Sequence, residues 1–264
     1  MIRILIISAI LISCNGNQKI DKSQILKYSV VVNSMSQETL LSNIQVKIKN
    51  AFTSCVVDKK DDELIVLINK LDKLNKLKKQ NLITYWQSYA YYYASIFAFT
   101  QNDEETAEKQ VDKGINLLKE IKNKNSEDYT LLAMLQGFGI QFKGMKAMFI
   151  SSSIEKNLKK AIALDSTNLR ARFVSGSNDF YTPEAFGGGK MTEIHLLKAL
   201  SLDTQKVKNS YLPSWGEEES YEMLIKVYIK KENWELAKKY FQEATKKFSN
   251  SYTITQLGTQ LVGK

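Results

Sequence analysis

The sequence has little of what metalloenzymes, disulfide scaffolds and β-rich domains require. Its 264 residues include one His and two Cys, which cannot supply a usual zinc ligand set. Two Pro and 12 Gly are too few for the many turns of a β-sandwich or barrel. Hydrophobic residues make up 44% of the chain, with 13 Tyr, 11 Phe and 3 Trp. This composition predicts a folded domain with one sizeable core.

Arginine is scarce although the formal charge is +9. The arginines are Arg3, Arg170 and Arg172, so 34 of the 37 basic residues are lysines. Bidentate reading of base edges favours the planar arginine fork, whereas lysine suits a solvated surface. The lysines are also spread among acidic residues along the chain. The charge therefore predicts a solvated basic surface and no nucleic-acid partner.

No set of residues supports catalysis or cofactor binding. Cys55 and His195, the single His, are 140 residues apart, so neither indicates a nucleophile with its base. The stretch Gly187–Lys190 resembles a phosphate-binding loop only in part, because Glu184 occupies the position of its first Gly and Met191 follows the Lys. We predict no cofactor, no metal and no enzymatic activity.

The N-terminus has the pattern of a bacterial export signal. Arg3 precedes an apolar run over residues 4–12, which is too short to span a bilayer. The following residues, Leu11-Ile12-Ser13-Cys14, resemble the lipobox of bacterial lipoproteins. That resemblance implies removal of residues 1–13 and lipidation of Cys14, followed by a polar tether over residues 14–34. An ordinary signal peptide that contains a Cys, or a short buried helix, is the alternative. We expect a lipid-anchored protein of the cell envelope, at the outer membrane and facing the periplasm or the surface.

The rest of the chain, residues 35–264, has a helical pattern. Ser34 and Gln37 predict a capping box at the start of a helix that extends to about Cys55, which is expected to be a buried, inert thiol. Leucines at spacings of three and four predict a second helix over residues 61–79. The uncharged stretch 82–100 predicts a buried helix rather than a membrane span, because five of its residues are Tyr. Three acidic clusters, at 61–63, 103–105 and 217–219, are expected to begin helices, where they complement the helix dipole.

A repeat near the C-terminus determines the predicted fold class. Aromatic, aliphatic and small residues recur there at the offsets of a tetratricopeptide (TPR) unit: Tyr221, Leu224, Tyr228, Ala237, Phe241 and Ala244. The chain thus resembles the TPR family, which implies an all-α, right-handed α-solenoid of about four to five antiparallel helix pairs. Looser echoes of the second-helix pattern occur upstream: Ala107, Val111 and Gly114; Ile154, Leu158 and Ala161; Thr192, Leu196 and Ala199.

One segment departs from a plain repeat. Residues 168–172 and 178–190, together with the later Pro213-Ser214-Trp215-Gly216, resemble a combination found in small bacterial TPR lipoproteins and related export-linked TPR proteins. This likeness implies architecture rather than chemistry. We expect Gly187, Gly188 and Gly189 to form a turn between helices. Phe186 is expected to pack beneath that turn, and the glycine backbone to pack closely against Trp215.

The TPR resemblance implies a groove that is lined by the first helix of each pair and binds peptides or helices. The candidate partner-binding residues are Arg170, Arg172, Asn178 and Tyr181, with one arginine available to grip a carboxylate. The two arginines point about 200° apart on a helix, so only one of them can face the groove.

Together these features predict a membrane-anchored, non-enzymatic scaffold that binds a protein or peptide in the cell envelope. The alternative is an accessory subunit of a solute-uptake system that binds a substrate-binding protein or a small apolar ligand. The aromatic run from Tyr85 to Phe99 would supply the pocket for such a ligand.

Overall fold

The structure, a computed structural model, describes residues 37–264, of which Leu41–Lys264 form one compact unit. The predicted signal peptide, Cys14 and the tether lie outside the described residues. Within the compact unit all regular structure is helical. Its α-helices are α1 (Ile44–Asp58), α2 (Asp62–Lys78), α3 (Asn81–Thr100), α4 (Glu104–Glu120), α5 (Ser126–Gly139), α6 (Ala147–Leu164), α7 (Leu169–Tyr181), α8 (Thr192–Leu200), α9 (Glu217–Lys230), α10 (Trp234–Lys247) and α11 (Tyr252–Gly258).

The helices pack in successive pairs: α1 with α2, α3 with α4, α5 with α6, α7 with α8, and α9 with α10. The short helix α11 covers the end of the last pair. The first helices of the last four pairs, α3, α5, α7 and α9, also contact one another in chain order. We call the surface that they form the inner face. This arrangement of five pairs is an α-solenoid, so the predicted fold class is confirmed.

The acidic clusters lie where helices were expected to begin. Helix α2 has Asp62 and Glu63 in its first turn. The side chain of Asp103 caps α4 by accepting a hydrogen bond from the Thr106 N–H at 2.9 Å. At α9 the Glu219 carboxylate accepts one from the N–H of Gly216 at 2.7 Å. Carboxylates satisfy N–H groups that have no partner within the helix and stabilise the positive end of its dipole.

Small residues of the second helices permit close packing, as the repeat pattern predicted. All nine echo positions in α4, α6 and α8 are buried. At Gly114 an added Cβ would lie 2.5 Å from the Leu135 side chain and 3.1 Å from the Ser88 carbonyl oxygen. The backbone of α4 therefore contacts α3 and α5 at a distance that no larger residue permits.

The C-terminal pair confirms the TPR-like unit. Ala237 and Ala244 are fully buried, and the rings of Tyr228 and Tyr240 stack with centroids 5.5 Å apart. Ile225 of α9 joins a core cluster with α10 and α11. The Asn233 side chain caps α10 by accepting a hydrogen bond from the Leu236 N–H.

The first predicted helix differs from the structure. A turn at residues 42–43 interrupts the helical residues 37–41 and α1, and Asn43 adopts a left-handed conformation with φ of 52°. The prediction of one uninterrupted helix to Cys55 is therefore wrong in its described part, and Ser34 lies outside that part. Cys55 is buried as predicted. Desolvation raises the pKa of its thiol.

Helix α3 is a buried helix, as its tyrosines predicted. Across residues 37–264, none of the helices combines the length and the apolar character that a membrane crossing requires.

Candidate functional site

The chain itself covers the part of the inner face where the first helices begin. Residues 201–216, which we call the crossing segment, join α8 to α9. Within it the Tyr211 carbonyl accepts a hydrogen bond from the Trp86 indole at 2.8 Å. Ser210 and Ser214 form hydrogen bonds with residues at the start of α1. The predicted groove is therefore occupied at this end.

Trp215 anchors the crossing segment. Its indole N–H donates to the Tyr85 hydroxyl at 2.9 Å, and its ring stacks on Tyr89 with centroids 5.9 Å apart. Phe173 of α7 meets the same ring edge-on at 6.2 Å. The next residue, Gly216, has φ of 106° and lies where a Cβ would come within 2.8 Å of Leu169. Only glycine combines that conformation with that approach.

Helix α1 also contacts the inner face. Phe52 packs against Tyr93 of α3 with ring centroids 5.0 Å apart. On the other side, the Lys49 ammonium lies 3.0 Å from Glu219 and 3.5 Å from Glu218 of α9. Burial alone would lower the pKa of Lys49, but these carboxylates outweigh it and the pKa is raised. The ion pairs link α1 to the last pair.

Arg170 lies in this interior, and its predicted partner-binding role has to be corrected. The side chain is 6% exposed and binds Glu127 bidentately, with N···O distances of 2.7 and 2.6 Å. A further guanidinium N–H contacts the carbonyl oxygens of Thr204 and Trp215 at 2.9 and 3.2 Å. The guanidinium thus holds the crossing segment to α5 and α7, so it is not available to a partner's carboxylate.

The other predicted partner-binding residues have three different environments. Arg172 is half-buried. The pKa of His195 of α8 is lowered, first by the burial of His195 itself and second by the nearby charge of Arg172. Asn178 donates a hydrogen bond to the Val174 carbonyl at 3.0 Å. Its side chain also packs against Gly137, because a Cβ added at that glycine would lie 2.4 Å from the Asn178 side-chain oxygen. Tyr181 is exposed. Of the four residues, only Tyr181 has a side chain that is largely accessible.

A continuous row of aromatic rings extends from Trp215 to the surface, which the sequence did not reveal. Each ring centroid lies 5.1–5.9 Å from the next. The row is Trp215, Tyr89, Tyr93, Tyr92, Phe138 and Phe142. Burial raises the pKa of the Tyr89 phenol well above its ordinary value, so this group stays protonated and able to donate. The aromatic run of α3 therefore serves mainly as packing, as its composition predicted.

The row ends at what we call the exposed apolar surface: Phe99, Phe142, Met145, Met148 and Phe149. Phe99 and Phe142 are ring neighbours at 5.9 Å. Met145, Met148 and Phe149 follow in the loop before α6 and in its first turn, and they are 97%, 74% and 75% exposed. Large exposed apolar side chains of this kind make the segment a candidate interaction site.

An ion-pair cluster fixes the loop that carries this surface. The Lys143 ammonium lies 2.8 Å from Glu108 and 2.7 Å from Asp112, both on α4. Burial would lower the pKa of Lys143, but hydrogen bonds to the two carboxylates outweigh it and raise the pKa. The loop before α6, which contains Met145, is thus attached to the preceding pair.

The glycine-rich stretch forms a compact turn, as predicted. Gly187 and Gly189 have φ of 87° and 81°, and the Gly189 N–H donates to the Asp179 carbonyl at 2.9 Å. The predicted packing of Phe186 beneath the turn is wrong, because Phe186 is 82% exposed. Trp215 packs against Tyr89 and Phe173 rather than against this turn.

Gly188→Ala is expected to destabilise the protein by about 3 kcal/mol, at the upper end of overpacking effects. A Cβ at Gly188 would lie 1.9 Å from the Thr182 carbonyl oxygen, so the backbone of the turn has to move. Urea denaturation measures the loss. The matched variant Gly144→Ala meets no neighbour within 4 Å at φ of +48°, and we expect it to cost about 1 kcal/mol for the left-handed backbone. Equal losses would show that the Thr182 contact is unimportant.

The described residues show no arrangement for metal chemistry. In residues 37–264 no group of three or more His, Cys, Asp and Glu residues is placed to hold an ion.

Comparison with known proteins shows the fold. No protein-family model and no curated protein matches the chain. Among solved structures, it is similar to a thermophilic TPR protein from Thermus thermophilus, with a TM-score of 0.52 and 11% identity over 81% of this chain and 99% of that one. It is also similar to the HusA haemophore from Porphyromonas gingivalis, with a TM-score of 0.49 and 20% identity over 70% of this chain and 92% of that one. The first likeness supports a TPR-like fold.

Proposed function

We propose that the protein is a membrane-anchored, non-enzymatic scaffold that binds a protein or peptide partner in the bacterial cell envelope. The observation that carries the proposal is the exposed apolar surface on a TPR-like solenoid. Helical repeat arrays present extended surfaces on which partners bind. The Lys143 ion pairs attach the loop before α6 to α4. The exposed side chains of Met145, Met148 and Phe149 gain free energy by burial against a partner.

The partner contacts this surface rather than the arginines. Arg170 is saturated by contacts within the chain, and the crossing segment fills the start of the inner face. Phe99, Phe142 and Phe149 supply aromatic anchors, and Met145 and Met148 adapt to irregular apolar shapes. The chemistry fits an apolar protein segment, such as one face of an amphipathic helix.

Aspartate substitution of both Met148 and Phe149 is expected to reduce recovery of the partner in a crosslinking pull-down from envelope membranes roughly tenfold or more, because truncation of hot-spot residues costs over 1 kcal/mol. The matched control is Tyr252→Asp with Val262→Asp, which adds the same charges at other exposed apolar positions. Recovery of one stoichiometric protein by the wild type and the control, but not by the surface variant, supports the scaffold. Equal recovery by both variants would contradict it.

The membrane anchor rests on the lipobox resemblance at Cys14. Multiple acyl chains hold a protein on a membrane where one does not, so Cys14→Ala is expected to move the protein from the membrane fraction to the soluble fraction. Immunoblotting of the two fractions measures the change, with Cys55→Ala as the control that retains Cys14. A Cys14→Ala protein that stays in the membrane fraction would exclude the lipid anchor.

A further inference from the structure

A cavity lies on the other side of α3 from the aromatic row. It has a volume of about 630 Å³, and its lining comes from α2, α3 and the end of α4 with the residues that follow it. Gln87 of α3 lies roughly 140–160° around the helix from Tyr85, Tyr89 and Tyr92, because about 100° separates successive residues of a helix. The volume is in the range of small-molecule sites, about 300–1,000 Å³.

Polar side chains along one side of the cavity form a directed hydrogen-bond chain. The Thr84 hydroxyl donates to the Asn75 side-chain oxygen at 3.2 Å. The Asn75 amide donates to the Gln87 oxygen at 2.9 Å, and the Gln87 amide donates to Asp72 at 3.4 Å. Lys76 completes the chain with an ion pair to Asp72 at 2.7 Å. Gln87 is only 2% exposed, so the chain fixes a buried amide at the bottom of the cavity.

These hydrogen bonds use the side-chain oxygens of the chain as acceptors, but not all of its N–H donors. The Asn75 amide has a second N–H, and the Lys76 ammonium has two more. The Gln87 amide is already hydrogen-bonded to Asp72 and to the Tyr91 hydroxyl. Lys79 and Lys122 add two ammonium groups to the lining. The carboxylates in the lining are Asp72, which Lys76 neutralises, and Glu120. The three lysines exceed the two carboxylates of the lining by one, which favours a ligand that is rich in acceptors and negatively charged.

Two aliphatic residues also line the cavity. Leu117 and Ile121 come from the end of α4, next to the polar residues Glu120, Lys122 and Asn123. A ligand with hydroxyl groups and C–H surface matches a lining that has both polar and aliphatic groups, because burial of its hydroxyls then costs no unsatisfied hydrogen bonds.

We propose that this cavity binds a small anionic, polyhydroxylated solute of the sugar-acid or sugar-phosphate class. Lys79 and Lys122 bind the anionic group. The Asn75 amide hydrogen-bonds a hydroxyl oxygen, and Leu117 and Ile121 contact the carbon skeleton. The inference does not rest on the proposed scaffold function, since the exposed apolar surface and this cavity share no residue.

Isothermal titration calorimetry tests the proposal with three probes: glucuronate, glucose 6-phosphate and glucose. We expect one or both of the anions to bind in the submillimolar range and glucose to bind at least about tenfold more weakly. Binding of glucuronate alone identifies a carboxylate ligand, and binding of glucose 6-phosphate alone identifies a phosphate ester. Absence of heat from both anions at millimolar concentration, or equal binding of glucose, overturns the proposal.

Paired lysine variants separate the cavity from the general basic surface. Lys79→Met with Lys122→Met is expected to weaken binding of the anion at least about tenfold. Lys70→Met with Lys73→Met removes the same charge from α2 outside the cavity lining and is expected to leave the affinity unchanged. All four lysines are exposed, so both variants are expected to fold. Equal weakening in the two variants would show that the anion binds through net charge alone and would overturn the proposal.

Discussion

Replacement of Trp215 by alanine is expected to lower the free energy of unfolding by about 3–5 kcal/mol. The side chain is buried against Tyr89 and Phe173, and its truncation leaves a cavity that the surrounding rings cannot fill. The substitution also removes the indole donor of the buried Tyr85 hydroxyl, which then lacks this hydrogen bond.

Urea denaturation followed by circular dichroism measures the loss at Trp215. Trp234→Ala is the matched control, because Trp234 is only half-buried and contacts the Lys264 ammonium at 4.8 Å from its ring centroid. We expect that control to lose about 1 kcal/mol, as for an exposed cation–π contact with little burial. If Trp215→Ala costs no more than Trp234→Ala, the crossing segment does not stabilise the inner face.

Arg170→Met is expected to cost about 3–5 kcal/mol, the range for breaking a buried ion pair from one side. Glu127 would retain its charge in a partly buried position, and the Thr204 and Trp215 carbonyls would each lose a donor. The double variant Arg170→Met/Glu127→Leu is expected to recover part of the loss, because apolar residues then replace both members of the pair.

A double-mutant cycle of unfolding free energies isolates the coupling of Arg170 with Glu127. The Lys206–Asp165 pair is the comparison. It has a 3.2 Å separation, and the Lys206 side chain is 68% exposed, so Lys206→Met is expected to cost about 1 kcal/mol or less. A Glu127 coupling as small as that of the exposed pair would contradict a structural role for Arg170.

The parts of the fold that could be predicted from the sequence are those with local patterns. The C-terminal pair follows from the spacing of Tyr228, Ala237 and Ala244, because residues of two adjacent helices contact each other within about 20 positions. The helix starts at the acidic clusters are equally local, since dipole and capping effects involve only the first turn.

The crossing segment and the environment of Arg170 could not be predicted in this way. Residues 201–216 have no helical period, and the hydrogen bond of Trp215 joins it to Tyr85, 130 positions earlier. Glu127 is 43 positions from Arg170, and nothing in the spacing pairs them. The helical position of Arg170 was correctly expected on a first helix, but the segment that covers that helix follows from long-range contacts alone.

The exposed apolar surface illustrates a different limit. Met145, Met148 and Phe149 look in sequence like ordinary core residues, but their side chains are exposed in the structure. The polar cavity could not be predicted from the sequence either, because its lining combines residues from three different helices.

The contacts of α1 and the crossing segment have a consequence for how the protein unfolds. In an open repeat array each unit contacts only its neighbours, so the ends fray and units melt one after another. Here Lys49 of the first pair is bound to the last pair, and Trp215 joins α3 to α7. We therefore expect amides in α1 and α9 to exchange through the same opening reaction, and the pairs to unfold together rather than one after another. We also expect the same long-range contacts to slow folding, because segments that are distant in the sequence have to meet first.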